Sequence, residues 1–308
     1  MIQHELKLEE NIKKEALEII NNKKSIEEKE YCNNLKIKTK LVLSGGGIKG
    51  IAHIGALQAL QDYGCLDNID TIAGSSVGAL IGTLLTIGYT PKDIYDFIMI
   101  FDMSKMGGLK IENLLEKFGL DDGSRIIIII IKMFNNKGFS EDITFKELYD
   151  KIKKKLIMTA TCINNKKAYY YSVDTFPDMK VIKALRMSIS VPIYFTPVPH
   201  EGYLFIDGGC IDNYPIQLFQ DKLDEVIGIY LSDVNENVEN INNIEDILIN
   251  IFQSMLEGIT CNSLKGYEKY SIKLNLSRIS LMDLNLNKQK KKELFDIGYN
   301  AFLNKFIK

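Results

Sequence analysis

Leu41-Val42-Leu43-Ser44-Gly45-Gly46-Gly47-Ile48-Lys49-Gly50, running on into Ile51-Ala52-His53-Ile54-Gly55-Ala56-Leu57, is the stretch that decides the fold. An apolar run enters a glycine cluster and leaves with apolar residues at helical spacing, which reads as strand, tight loop and helix. Glycine tolerates positive φ, so consecutive backbone N–H groups can point into one concavity, and the helix that follows adds the positive end of its dipole. Such a loop is built to hold something negative. Either a bound phosphate or an oxyanion formed during a reaction would satisfy it.

The same alternation continues outward. Residues 69–73 read as a short strand, 74–78 as a turn, and 77–87 as a helix closed by Gly88. Pro91 suits the first turn of a helix to about residue 101, and 107–110 read as a loop before a short helix over 111–118. The six isoleucines of 126–131 fit a buried strand or a core helix, and Asp121-Asp122-Gly123-Ser124 in front of them is helix-start chemistry, which favours the helix. Thr144, with Glu147 three residues on, forms a capping box for a helix to residue 155. Residues 156–163 and 168–173 read as strands joined at Asn164-Asn165, 181–188 as a helix, and 203–206, 225–231 and 271–276 as further strands. Helices over 244–265 and 288–306 complete the chain. Strands followed by helices at this spacing predict an α/β fold with a largely parallel central sheet flanked by helices on both faces. Its active site would lie at the carboxyl ends of the strands, where both glycine turns open.

Two regions follow: an N-terminal helical arm over 1–36, where Leu6, Leu8, Ile12, Ala16, Ile19 and Ile20 form a stripe, and one large domain over 37–308. The formal charge of −2 over 308 residues argues against a nucleic-acid binder, which would carry a basic face. Five cysteines (Cys32, Cys65, Cys162, Cys210 and Cys261) show no metal or disulfide spacing and read as free thiols in a reducing compartment. The first twenty residues mix Glu and Lys and hold no Sec-type apolar segment. The uncharged stretch 71–91 is long enough to cross a bilayer, but its internal Gly-Ser-Ser-Val-Gly turn makes it a buried strand, turn and core helix. The expectation is a cytoplasmic protein without a transmembrane helix.

Gly74-Ser75-Ser76-Val77-Gly78 fits G-x-S-x-G, in which a serine sits on a strained strand-to-helix turn and small neighbours let the backbone fold beneath it. A nucleophilic Ser76 needs a base. The chain has three histidines, His4, His53 and His200. His200 with Asp174 or Asp178 would make a triad, while His53 sits in the helix after the glycine loop, where a packing role is expected. Asp207, ending a strand and followed by Gly208 and Gly209, is the other candidate; alone it reads equally as an Asx turn. A free aspartate near ~3.9 is a poor base for an alcohol, but burial raises that value, and a Ser-Asp dyad needs no imidazole.

Taken together, these pieces resemble the patatin-like phospholipases. That family joins a glycine-rich oxyanion loop, a G-x-S-x-G turn, a small-residue loop leading to P-x-x-F, and a D-G-G or D-G-A carrying the dyad aspartate. Here they are Gly45 through Gly50, Gly74 through Gly78, Ser190-Val191-Pro192-Ile193-Tyr194-Phe195, and Asp207-Gly208-Gly209, within residues 38–306. The resemblance implies a patatin-like α/β fold and a phospholipase A type acyl hydrolase. It implies a Ser76 nucleophile, an Asp207 base, oxyanion donors from Gly45, Gly46 and Gly47, and supporting roles for Lys49, Gly50, Gly74, Gly78, Pro192, Gly208 and Gly209. Ser44 stands where plant members often have aspartate. Lys49 stands where arginine is common, keeping the charge without the bidentate fork. The implied scheme requires no cofactor and no metal, calcium included. It implies a phospholipid or other acyl-lipid substrate with peripheral membrane contact, and leaves any protein activator unidentified. Two rivals remain: a dinucleotide-binding oxidoreductase using Gly45, Gly47 and Gly50 with Asp67 or Asp70 about twenty residues on, and a non-catalytic lipid-binding protein.

Overall fold

The opening apolar run is a strand, β1 (Lys40–Leu43), in a computed structural model that describes residues 35, 37–102, 111–232, 241, 244–276 and 285–306. Successive side chains on a strand point to opposite faces. Leu41 and Leu43 accordingly enter the larger apolar core, and Val42 enters a second one with Tyr214, Ile216, Val226 and Leu264. A strand apolar on both faces belongs in the middle of a sheet covered on both sides.

After β1 come α1 (Ile51–Asp62), β2 (Thr71–Ser75), α2 (Val77–Thr86), α3 (Pro91–Ile100), α4 (Ile111–Lys117) and β3 (Gly119–Asp121). Then follow α5 (Ser124–Asn136), α6 (Phe145–Ile152), β4 (Lys155–Cys162), β5 (Lys167–Tyr171) and α7 (Val181–Ser188). The chain continues through β6 (Ile193–Phe195), β7 (Val198–His200), β8 (Tyr203–Asp207), β9 (Val226–Ser232), α8 (Ile244–Leu264), β10 (Ser271–Asn275) and α9 (Lys288–Phe306). The main sheet has the order β10-β9-β1-β2-β4-β8-β7, with β5 on β4. The run from β10 to β4 is parallel throughout, and β5, β8 and β7 are added antiparallel. The sheet is thus largely parallel, as the strand-helix alternation predicts.

β4 positions the site. It pairs with β5 over Met158–Cys162, with β2 up to Ser75 opposite Thr159, and with β8 from Asp207 opposite Ala160. Because β5 fills one edge of β4 across that whole span, β2 and β8 must share the other. They meet there end to end. Their carboxyl ends, Ser75 and Asp207, therefore lie against consecutive residues of a single strand.

One reading of the sequence needs correction, one is met, and one pair of strands is new. The helix starting at Thr144 has its capping box but stops at Ile152, because Lys153 turns left-handed (φ 61°) and Lys155 already belongs to β4. The isoleucine run is helical, within α5. Around it, β3 and β6 form a two-stranded parallel sheet, Gly119 opposite Ile193 and Asp121 opposite Phe195; three-residue strands are too short to show a period. The expected arm over 1–36, apart from buried Leu35, and the loop over 107–110 lie outside the described residues. Cys65, Cys162, Cys210 and Cys261 carry no disulfide, and Cys32 lies outside the described residues. Among the described residues no helix is long and apolar enough to cross a membrane.

The α1–α9 contact closes over glycine. A methyl group on Gly298 would lie 1.8 Å from the Ala52 carbonyl oxygen, and one on Gly55 1.9 Å from that of Phe295. The helices can approach this closely only without side chains there. Gly298→Ala is expected to destabilise the protein by about 1–3 kcal/mol through overpacking, read as a lower urea midpoint; an unchanged midpoint would mean that the helices part at no cost.

Candidate active site

Ser76 links β2 to α2 with φ 52° and ψ −124°, a conformation that L-residues adopt at a cost of order 1–3 kcal/mol. The space beneath it explains the flanking glycines. A Cβ on Gly74 would sit 2.5 Å from the Gly78 carbonyl carbon, and one on Gly78 would sit 2.4 Å from the Leu43 carbonyl oxygen. The Ser76 N–H donates to Ser188 Oγ at 3.1 Å, so the bend is held from outside by the end of α7.

Asp207 ends β8 and is 1 % exposed. Its N–H donates to the Ser190 carbonyl at 2.8 Å, and its Oδ1 accepts from the Gly209 N–H at 2.8 Å. Oδ2 is buried without a hydrogen bond of normal geometry, while the Ser76 hydroxyl is close enough to favour the ionised carboxylate. Burial outweighs both the Ser76 and Gly209 contributions and pushes the carboxyl up to about 7 from 3.8. An aspartate so placed exchanges its proton near neutrality, where a general base is most effective.

The glycine loop passes over this pair. A Cβ on Gly45 would lie 2.9 Å from Ser76 Cβ and 2.3 Å from Asn213 Oδ1. The Gly45 N–H donates to the Asn213 carbonyl at 3.1 Å, which removes it from the set of available donors and leaves the Gly46 and Gly47 amides at the turn preceding α1. The loop is pinned from below. Ser44 Oγ accepts from the Leu231 N–H at 3.0 Å, and the Ser44 carbonyl accepts from His53 Nε2 at 3.0 Å. Burial holds His53 down to about 4, so the ring is neutral with its proton on Nε2. Lys49 is only 2 % exposed and is packed into the support of the loop.

Ser76, Asp207 and the glycine loop are thus together, with Gly74, Gly78, Gly208 and Gly209 supplying clearance and Pro192 leading into β6. The histidine alternatives are elsewhere. His200 pairs with Tyr203, four residues and roughly 13 Å along β8 from Asp207, and its Nδ1 meets Lys183 Nζ at 3.0 Å. Asp174 is paired with Lys155 at the amino end of β4, and Asp178 is exposed. The dinucleotide reading loses its acidic partner in the same way. Asp70 is bonded to Lys40 at the amino ends of β1 and β2, opposite the glycine loop, and Asp67 lies in the turn before β2.

Four contributors were not singled out from the sequence: Asn213, Ser188, Ser190 and Arg186. Asn213 Nδ2 donates to Thr260 Oγ1 at 2.8 Å, leaving a buried Oδ1 between Gly45 and Gly209. Arg186 donates to Ser190 Oγ, to the Asp122 carbonyl at 2.9 Å and to the Thr196 carbonyl at 3.0 Å. It so ties the segment after α7 to the β3–β6 pair. In sequence only Ser190 carries a signal, as part of the segment leading to Pro192; Arg186, Ser188 and Asn213 act through partners distant in the chain.

From Ser76 an apolar cavity of about 190 Å³ extends between α1, α2, α3 and α5, with Val77, Leu80, Phe97, Ile129 and Tyr194 among its lining residues. A strained serine thus stands beside a buried carboxyl and an apolar cavity. The family model described as patatin-like phospholipase matches residues 41–219. A protein of Acanthamoeba polyphaga mimivirus is 35% identical over 281 residues, covering 87% of this chain and 93% of that protein. A probable lipid hydrolase of Invertebrate iridescent virus 6 is 31% identical over 282 residues, covering 82% and 95%. The crystal structure of VipD from Legionella pneumophila shares the fold with a TM-score of 0.65 at 18% identity, over 87% of this chain and 66% of that one. The chain belongs to the patatin-like phospholipase family, which places it among lipid hydrolases.

The raised pKa of Asp207 carries a stability signature. With a folded-state value of about 7 against 3.8, the folded protein keeps a proton that the unfolded chain releases earlier. The associated stability is full below pH 3.8 and is lost as pH rises through 7. Asp207→Asn keeps the acceptor for the Gly209 N–H and removes the buried charge. It should raise Tm over the native protein by several degrees at pH 8 and by much less at pH 5. Equal gains at both pH values would show that this carboxyl titrates lower.

Proposed function

We propose that the protein is a phospholipase A type lipid acyl hydrolase that works through an acyl-serine on Ser76 with Asp207 as general base. The observation that carries this reading is the pairing of the strained Ser76 with the buried Asp207 carboxylate where the apolar cavity opens. Ser76 Oγ attacks the ester carbonyl while its proton passes to the Asp207 carboxylate. The Gly46 and Gly47 amides receive the tetrahedral oxyanion. One such donor is typically worth about 3 kcal/mol of barrier. As the intermediate collapses, the C–O bond to the alcohol breaks and Asp207 returns the proton to the leaving oxygen, releasing lysophospholipid. Water, deprotonated by Asp207, then frees the fatty acid.

The hydrocarbon chain of the substrate lies in the apolar cavity, and the head group remains outside, where the protein touches the surface of the membrane peripherally. Asn213 anchors the glycine loop through its carbonyl, which accepts from the Gly45 N–H, while its Nδ2 donates to Thr260 Oγ1.

Ser76→Ala and Asp207→Asn are each expected to lower hydrolysis of acyl esters by roughly 10,000-fold or more with unchanged circular dichroism. Substantial activity in either variant would overturn the dyad, and failure of a fluorophosphonate to label Ser76 would favour a lipid-binding role without catalysis. Because the base must be ionised in the free enzyme, kcat/KM should rise with pH through about 7 and level off above it. A profile flat from pH 5 to 9 would exclude Asp207 as the base.

A further inference from the structure

The cavity beside Ser76 has a direction, set by three of the four helices that wall it. α2 leads away from the nucleophile, placing Val77, then Leu80 and Ile81, then Leu84 along it; Leu84 is eight residues from Ser76, about 12 Å at 1.5 Å per residue. α5 runs the same way. Just before its first residue the Asp122 carbonyl accepts from Arg186, in the segment bracing the site. Near its end the Met133 carbonyl accepts from the Tyr89 hydroxyl at 3.1 Å, and Lys137 Nζ donates to the Gly88 carbonyl at 2.7 Å, both just beyond the end of α2. α3 returns from that point, beginning at Pro91 and passing Ile94 before Ile98 and Phe101. Lys291 Nζ fixes the upper end of α3 by donating to the Ile98 and Phe101 carbonyls, each at 2.9 Å.

Leu84, Ile94 and Met133 therefore lie together at the end far from Ser76. All three are buried, at 4 %, 2 % and 8 % exposed. Leu84, Ile94 and Met133 are thus the lining residues that three different helices contribute at the end away from Ser76.

We infer that Leu84, Ile94 and Met133 form the floor of an acyl-chain ruler that sets the length of the fatty-acyl group this enzyme removes, with an optimum below the chains of ordinary membrane lipids. The inference rests on Ser76 being the acyl-accepting nucleophile. A bilayer's hydrocarbon core is about 30 Å thick, so one leaflet's chain occupies about 15 Å, more than the roughly 12 Å of helix rise from Ser76 to Leu84. Methylene groups are rewarded while they enter the cavity, and those beyond the floor must stay outside or displace packed side chains. Each methylene that enters is expected to raise kcat/KM by up to about fourfold, equivalent to about 0.8 kcal/mol of burial, until the floor is met.

The test is hydrolysis of a series of single-chain esters from butyryl to palmitoyl. The readout is the chain length at which kcat/KM stops rising, a ratio between esters that is independent of how much of each variant is folded. In the native protein the break is expected at medium length, before palmitoyl. Leu84→Ala and Met133→Ala, which deepen the cavity, should move it to longer chains, and Met133→Phe should move it to shorter ones. The two alanine variants and the phenylalanine variant act in opposite senses, so a general loss of packing cannot imitate both. A break that stays in place in all three variants, or a rise continuing through palmitoyl in the native protein, overturns the ruler. If the native protein hydrolyses none of the esters and a fluorophosphonate leaves Ser76 unlabelled, the reading of Ser76 as nucleophile has failed instead.

Discussion

One edge of one strand holds the site together. β4 is already paired with β5 over Met158–Cys162, so β2 and β8 share its remaining edge and stop at adjacent positions, Ser75 opposite Thr159 and Asp207 opposite Ala160. A parallel and an antiparallel strand can meet there only head-on, with their carboxyl ends together. Ser76 and Asp207, 131 positions apart in the chain, are brought to adjacent places by the ladders on β4. A one-residue slip of either strand would turn its side chains to the other face. The glycines around this junction have the same origin: a Cβ on Gly208 would lie 2.3 Å from the Thr159 carbonyl oxygen, because three backbones converge there.

The same crowding sets the electrostatics. Asp207 is sealed from water, and the groups that favour its charge are the Gly209 amide and the Ser76 hydroxyl, with no cation among the causes of its shift. Two hydrogen-bond donors do not offset the loss of hydration, so the carboxyl rises to about 7. A salt bridge would stabilise the fold and lower the basicity of the carboxylate. His53 follows the opposite course: burial lowers it to about 4, which keeps it neutral and makes it a fixed donor to the Ser44 carbonyl beneath the glycine loop. Imidazole is thus part of the scaffold of the glycine loop, while the buried carboxyl that titrates near neutrality lies beside Ser76.

Much of this was legible in the residues. The strand-glycine-helix stretch from Leu41, the turn around Ser76 and the D-G-G at Asp207 each carry a local backbone demand that leaves a mark in sequence, because only glycine or small side chains fit the clearances measured at Gly74, Gly78 and Gly208. Long apolar periods also predicted the helices well, and α5 was recovered through its start signal despite six consecutive isoleucines. What escaped was non-local. β3 and β6 are three residues each and exist because Arg186 draws Asp122 and Thr196 together. Gly45, which the family resemblance makes an oxyanion donor, has its amide bonded to the Asn213 carbonyl, a partner 168 positions away that no spacing rule could supply.

The short segment from Ser188 to Ser190 shows why a loop of small residues recurs between α7 and Pro192. Ser188 Oγ holds the amide of Ser76, and the Ser190 carbonyl holds the amide of Asp207, so one turn of chain fixes both at once. The two serines are fully buried, and Ser190 Oγ is in turn held by Arg186, whose guanidinium also reaches the β3–β6 pair flanking the cavity mouth. Larger side chains at Ser188 or Ser190 would have no room, and apolar ones at Ser188 would leave the Ser76 amide unpaired in a dry interior, at about 1–3 kcal/mol. The geometry of the reacting pair is thus supported twice by independent means, from below by the shared edge of β4 and from the side by this serine brace. A strained φ at Ser76 persists because both supports would have to yield before it could relax.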